Sequence, residues 1–244
     1  MSHLNGFIQN LPSSDIEMLR PLFKAKSFGH GDVIAEAGQP IEDVWFVNSG
    51  MLSVIVPLQT GEAIEAGVVG ADEVFGASGA FGMHFHINTA VGQMPGSAFV
   101  IACTALKKAV ARSTTLSHAL AAQEQFLLAQ AQQTAACNAR HAIPQRLATW
   151  LLRVRDRSQR DELNLTQEFL SQMLGVQRAS VSIAAAQMQQ SGLIRYKRGN
   201  VRIMDLQGLE QAACECYSAV RDQYQRSIQL VDRDGRSASR PVLS

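Results

Sequence analysis

LTQEFLSQMLGVQRASVSIAAAQMQQSGLIRYKRGNVRIM, residues 165–204, is the stretch that decides how this chain is read. Thr166 suits a helix start, and Glu168 sits in the first turn at the positive end of the helix dipole. Phe169, Leu170, Met173 and Leu174 then share one apolar face. Gly175 supplies the backbone freedom for a sharp turn. A second helix follows in which Val181, Ala184, Ala185 and Met188 fall at i, i+3, i+4 and i+7. Its small alanines allow a close helix crossing, and Gly192 marks its end. Leu193 to Tyr196 and Val201 to Met204 read as short strands joined at Lys197, Arg198, Gly199 and Asn200, residues suited to a tight hairpin. Helix, turn, helix and basic hairpin in this order predict a winged helix-turn-helix.

That shape places its second helix in the DNA major groove, where an arginine can grip guanine O6 and N7 together. Arg178 is the candidate for this contact. Gln177 suits a base or a phosphate, and Ser180 a phosphate or a close base edge. Ser182 lies near the same face, and Thr166 at the helix start. Arg195, Lys197, Arg198 and Arg202 give the hairpin positive charge for the phosphate backbone.

Charge divides the chain in the same sense. Residues 1–137 carry 6 Lys and Arg against 11 Asp and Glu, a net of −5. Residues 138–231 carry 13 against 8, a net of +5, and residues 232–244 add +1. The first part is a poor partner for phosphate and the second a suitable one. No apolar run approaches the roughly 20 residues of a membrane span, and MSHLNGFIQNLPSSD lacks the charged start and apolar core of a secretory signal, so a cytoplasmic protein without a membrane partner is expected. Gly-rich phosphate loops, G-x-S-x-G and H-E-x-x-H are all missing, and no carboxylate pair stands out, so the residues give no support to an enzyme.

Upstream, a short helical entry over residues 1–27 gives way to short β-rich runs punctuated by glycine. These are Val33-Ile34, Val44 to Val47, a turn at Asn48-Ser49-Gly50, Leu52 to Val56, and finally Phe99 to Ala102. The pattern predicts a sandwich or barrel-like roll. A long helix is expected from Thr115 to Cys137. Leu116, Leu120, Gln123, Leu127, Gln130, Thr134 and Cys137 step along it as a heptad seam, beside a second stripe of Ala119, Ala122, Phe126 and Ala129. One of these faces is expected to pack inward and one against a partner chain. Asn138 to Ile143 forms a candidate hinge before Pro144, a residue suited to a helix start. Leu147, Trp150, Leu151 and Val154 give that helix a buried face. A final helix is expected from Leu209 to Ile228, then a disordered tail from Asp232.

The four cysteines, Cys103, Cys137, Cys214 and Cys216, form neither a disulfide framework nor a C-x-x-C pair. Two residues apart on a helix, Cys214 and Cys216 would point to different sides. Inert buried thiols are the expectation, with no metal site, and redox sensing is the alternative.

β-rich roll, long helix, hinge and winged helix-turn-helix occur here in an order that, over residues 15–215, resembles the Crp/Fnr family of bacterial transcription regulators. GDVIAEAGQP, VWFVNSGMLSV and VVGADEVFGASGAF resemble successive strands and turns of that family's cyclic-nucleotide-binding-type roll, and LTQEFLSQMLGVQRASVSIAAAQMQQSGLIRY its helix-turn-helix. The resemblance implies an α+β chain with a jelly-roll-like sensor domain at 1–113, a dimerisation helix at 114–137, a DNA-binding domain at 138–231 and a tail at 232–244. It implies a homodimer on two-fold symmetric duplex DNA, with half-sites roughly 34 Å apart. Leu116, Leu120, Gln123, Phe126, Leu127, Gln130 and Thr134 would form its dimer helix. RNA polymerase would be a further partner of an activator.

Two departures carry expectations of their own. Family members that bind cyclic nucleotides have Phe-Gly-Glu, then Arg-Ser/Thr-Ala, the glutamate holding the ribose and the arginine the phosphate. Here Phe75, Gly76, Ala77 and Ser78 are followed by Asn88, Thr89 and Ala90. A buried phosphate without a cation is costly, so cyclic AMP is not the expected ligand, and any effector is an unidentified small molecule. His84 and His86 are the candidates for haem, against the plainer reading of polar loop residues. An iron–sulfur cluster of the family's N-terminal type is not expected, because no cysteine precedes Cys103. In the reading helix the cyclic-AMP-responsive members have Arg-Glu-Thr-Val-x-Arg, where this chain has Arg178, Ala179, Ser180, Val181, Ser182 and Ile183, which implies a different half-site. An effector-independent regulator, or one sensing haem or redox state, is the alternative to control by a small effector.

Overall fold

The computed structural model of this protein describes residues 5–59, 63–158 and 160–237. After helices α1 (Gly6–Gln9) and α2 (Ser13–Leu19) comes a roll of strands β1 (Lys24–Phe28), β2 (Val33–Ala35), β3 (Asp43–Pro57), β4 (Ala63–Gly70), β5 (Val74–Phe75) and β6 (Thr89–Ala102). The sheet runs β1-β6-β3-β4, with β2 paired to β6 and β5 to β3. Strand β1 falls inside the stretch expected to be helical, because Lys24 to Phe28 pair antiparallel with Gly96 to Val100.

Asn48-Ser49-Gly50 does not turn the chain. It lies inside β3, a single 15-residue strand. Gly50 takes φ +78°, and a Cβ there would stand 2.7 Å from backbone atoms of Met94, Pro95 and Gly96. Ser49 Oγ accepts from the Ser97 amide. The three residues expected to turn therefore form a kink where β3 meets β6 backbone to backbone.

Alternation along β3 and β6 feeds two apolar cores. Phe46, Leu19, Ile101 and Leu106 pack in one with Leu116 and Leu120 of helix α4 (Thr114–Arg140), behind helix α3 (Cys103–Val110). Trp45, Val47, Leu52, Phe75 and Val100 pack in the other. A fully buried leucine or phenylalanine contributes about 2 kcal/mol by leaving water.

Helix α4 covers the expected long helix and extends it at both ends, but its faces are used differently. Leu116, Leu120, Gln123, Phe126 and Gln130 are all buried within their own chain, and Leu127 and Thr134 are half-buried. Both stripes face inward, since the aromatic and leucine side chains fill this chain's own cores. The residues expected to line the dimer seam are not a free surface.

Past the His141-Ala142 junction come α5 (Ile143–Ser158), β7 (Glu162–Asn164), α6 (Gln167–Leu174), α7 (Arg178–Gln190), β8 (Ile194–Lys197), β9 (Asn200–Ile203), α8 (Leu206–Ala212) and α9 (Cys216–Ser237). The expected single C-terminal helix is two helices, broken at Ala213 to Glu215. The Cys214 amide donates to Thr149 Oγ1 instead of continuing the helical ladder. Helix α9 runs to Ser237, so residues 232–237 are helical where a disordered tail was expected; residues 238–244 lie outside the described residues.

By contact, the chain divides into two compact units: residues 1–54, 68–129 and 222–244, and residues 55–67 and 130–221. No helix among the described residues is long and apolar enough to cross a membrane.

Candidate nucleic-acid interface and the β-roll cassette

In the second unit, Thr166 caps α6, its Oγ1 accepting from the Phe169 amide at 3.1 Å. The cap uses the oxygen and leaves the hydroxyl proton free. Gly175 ends the helix at φ +60° and ψ +45°, with Ile64 packed 3.3 Å from where a Cβ would lie. Buried Val181, Ala184, Ala185 and Met188 hold α7 to the domain. Trp150 of α5 donates to buried Glu65 at 2.8 Å, its ring edge-on to Phe169.

This packing leaves one face of α7 in solvent. Arg178, Ala179, Ile183 and Ala186 are exposed on it, Ile183 by 62%. Gln177 is exposed at the N-cap and makes no capping bond with its side chain. Ser180 is half-buried at the same end. Ser182 differs from the others, because its hydroxyl lies 2.7 Å from Gln167 Oε1 and 3.1 Å from the Arg178 carbonyl. Its one proton is used inside the domain, clamping α7 to α6. Ile183, read in the sequence only as a departure from the family's reading helix and not as a contact residue, is exposed on this same face.

The wing is a three-stranded sheet, β7-β9-β8. Arg198 at φ +49° and Gly199 at φ +78° form a two-residue turn of the kind that matches strand twist. Strand β8 turns Ile194 inward and Arg195 and Lys197 outward. Arg195 stands directly opposite Arg202, and Arg202 opposite Glu162. Like charges side by side are unfavourable on an exposed sheet, and an anion relieves them. Tyr196 fixes the wing: its hydroxyl donates to the Leu165 carbonyl at 2.9 Å, and its amide to Gln189 Oε1 at 2.7 Å. Burial pushes that hydroxyl's pKa up, while the charge of Arg178 pulls it down.

In the first unit the cassette is closed by the chain's own groups. Gly76 at φ +84° leads into a 3-10 turn, Ala77–Phe81, that buries Ala77 completely. The Ser78 amide, a natural donor for an anion, gives its hydrogen to Glu124 Oε1 of α4 at 2.9 Å. Burial raises the Glu124 pKa, and the Ser78 hydrogen bond partly offsets it. Thr89 Oγ1 accepts from the Ala37 amide at 3.2 Å, Asn88 is half-buried, and Ala90 and Phe75 belong to the core. A cyclic nucleotide does not fit here: the turn donor is taken by a carboxylate, and Asn88 brings no charge to balance a phosphate.

His86 stacks on Phe75 with ring centroids 5.3 Å apart, and its pKa is lowered by burial. It lines a cavity of about 290 Å³ with Trp45, Lys26, Glu36, Glu42 and Asp43, and Lys26 is paired to Asp43 at 2.8 Å. His84 is exposed and takes no part in that cavity, so the two haem candidates do not share it.

Cys214 and Cys216 were expected to diverge along a helix. The break between α8 and α9 instead turns both toward Cys137 and His141, whose ligand atoms with theirs all lie within 4.8 Å of one another. The expectation of a chain without a cysteine cluster is corrected by that break. Burial and the neighbouring thiols push the Cys137 pKa well up. Among the described residues this is the one group of three or more histidine, cysteine or acidic side chains placed to hold a metal.

A sensor-type roll joined by a long helix to a winged helix-turn-helix defines a DNA-binding transcription regulator. Residues 145–212 match the Crp-like helix-turn-helix domain, and residues 25–113 the cyclic nucleotide-binding domain. Together these span more than half of the chain, which belongs to the Crp/Fnr family of transcription regulators. Solved structures agree in fold. FixK2 from Bradyrhizobium japonicum has a TM-score of 0.68 and 19% identity over 79% of this chain and 98% of its own. A putative regulator of the Crp/Fnr family from Eubacterium rectale has 0.68 and 17% over 84% and 95%. The c-di-GMP responsive global regulator CLP from Xanthomonas campestris has 0.65 and 16% over 79% and 99%. No curated protein sequence matches.

Proposed function

We propose that this regulator binds two-fold symmetric duplex DNA as a homodimer, reading each half-site with the exposed face of α7. The observation that carries this reading is that face itself, bare of packing and flanked by a cationic wing. Arg178 reads a guanine. Ile183, five residues on and about 7.5 Å along the helix axis, packs on a thymine methyl. Gln177, Ser180 and the free proton of Thr166 serve phosphate or a base edge, and Arg195, Lys197 and Arg198 the phosphate backbone.

The dimer seam is the outer face of α4, where His118, Ala121, Gln125, Leu128, Gln132 and Ala135 are exposed at steps of 3, 4, 3, 4 and 3. Leu128, 51% exposed, is its apolar anchor. Control comes from an effector other than cyclic AMP or, in a second reading favoured by the Glu124-filled turn, from no small effector at all. As an activator the protein would also touch RNA polymerase. A haem sensor built on His84 and His86 is not favoured, because they do not face one cavity.

Selection of randomised DNA by the purified, ligand-free protein tests this. Enrichment of an inverted repeat with centres about one helical turn apart is expected. Enrichment of nothing, in repeats with added small effectors as well, overturns it.

A further inference from the structure

We infer that Cys137, His141, Cys214 and Cys216 form a Zn²⁺ site that ties the end of α4 to the α8–α9 turn. This inference does not depend on the DNA reading.

Sequence separation makes the convergence notable. Cys137 lies in the last turn of α4 and His141 one turn further on, at the junction with α5. Cys214 and Cys216 approach them from more than 70 residues away. Cys137 Sγ is 3.5 Å from Cys214 Sγ, and Cys216 Sγ 3.5 Å from His141 Nδ1. Around a tetrahedral zinc with Zn–S of about 2.3 Å and Zn–N of about 2.0 Å, ligand atoms stand roughly 3.5–3.8 Å apart. Two of the six separations therefore already match the edges of that tetrahedron, and all six lie within 4.8 Å. Three sulfurs and one imidazole nitrogen leave no open position, which is the arrangement of a structural zinc site.

The surroundings favour thiolates and a metal. His141 Nε2 lies 3.1 Å from Glu215 Oε1, so a proton held there leaves the Nδ1 lone pair facing the sulfurs. Gln133 Nε2 donates to Cys216 Sγ at 3.0 Å. Thr149 Oγ1 accepts from the Cys214 amide and lies 3.1 Å from Cys214 Sγ, which leaves its own proton to give to that sulfur. Neutral thiols are weak acceptors, whereas metal-bound thiolates use such donors.

Arg146 supplies an independent sign. Its side chain is buried beside the cluster, in the same small cavity as Cys137, Thr149 and Cys216. Its Nη2 donates to the Leu174 carbonyl, its Nε has no partner, and no carboxylate pairs with it among the described ion pairs. Glu65 is the one carboxylate lining that cavity, and it is held by Trp150 and forms no ion pair with Arg146; three thiols and an imidazole add no counter-ion. On binding, Zn²⁺ displaces three thiol protons to solvent, and the site becomes three thiolates, one neutral imidazole and one dication, a net −1 beside the arginine.

The test uses full-length protein purified under reducing conditions. One zinc per chain by elemental analysis is expected. Refilling the metal-stripped protein with Co²⁺ should give the visible ligand-field bands and sulfur-to-metal charge transfer of a tetrahedral thiolate site. Cys214→Ser should abolish that spectrum, whereas Cys103→Ser, outside the cluster, should leave it intact. Glu215→Gln, on an exposed side chain that leaves the fold in place, should lower zinc affinity about tenfold or more. Folded protein that carries no zinc and yields no tetrahedral cobalt spectrum overturns the inference. So does a spectrum that survives Cys214→Ser, or zinc affinity unchanged in Glu215→Gln.

Discussion

The two units treat their polar groups in opposite ways. In the β-roll, donors and acceptors that a ligand would need are already used by the chain: Ser78 by Glu124, Thr89 by Ala37, Lys26 by Asp43. In the helix-turn-helix unit, Arg178, Lys197 and Arg198 stand in solvent, and Arg195 faces Arg202 across the sheet. A surface that is electrostatically incomplete awaits a partner, whereas one that is satisfied internally does not. For a cyclic nucleotide, then, the cassette is closed by filling it with Glu124 as well as by losing its charged residues.

The largest effect expected on this contrast is structural. Gly96→Ala places a Cβ 1.9 Å from the Ser49 carbonyl oxygen, a backbone atom that cannot rotate away. It should destabilise the roll by about 3 kcal/mol, read by urea unfolding. A near-neutral result would mean that the β3–β6 crossing is looser than described.

Next is Arg178→Ala, which should cost about 1–3 kcal/mol on the selected site and relax preference at one base pair. Equal losses on selected and random DNA would make Arg178 a phosphate contact. Lys197→Ala should weaken all sequences alike and reduce the slope of log affinity against log salt by about 0.9. A loss confined to one sequence would move the wing from backbone to base reading.

The smallest effect is on the filled turn. Glu124→Gln keeps an acceptor for Ser78 and removes the charge whose burial raises the folded-state pKa. A raised carboxyl pKa means the fold favours the protonated form, so stability is complete below the unfolded pKa and lost as pH rises through the folded one. The variant should therefore melt higher than wild type at pH 8 and differ little near pH 3. A lower melting temperature at pH 8 would show that the carboxylate's charge stabilises the turn.

Much of the DNA-binding unit was legible because its signals are local: Thr166 as a cap, Gly175 and Gly192 with positive φ, and apolar spacing in α6 and α7. The break before α9 was not legible. AACECY contains neither proline nor glycine, and the helix ends because Thr149, far away in sequence, takes the Cys214 amide. Nor could three-residue β7 be read, since it exists by pairing with β9. The heptad in α4 was correctly periodic, but period tells which residues share a face and not what covers it. The cassette was legible in what it lacks, Ala77 and Asn88 standing for charged residues, while Glu124 reaching Ser78 needed coordinates.

Neither unit is a continuous piece of chain, since residues 55–67 join the second and residues 222–244 the first. During synthesis, then, the roll's last strand emerges well before residues 222–237 of α9, which group with it. The second unit in turn recruits residues 55–67, made long before. Each unit therefore closes through contacts distant in sequence, which slows folding. Cutting the gene at the α4–α5 junction should yield two fragments that each lack a segment of their own unit.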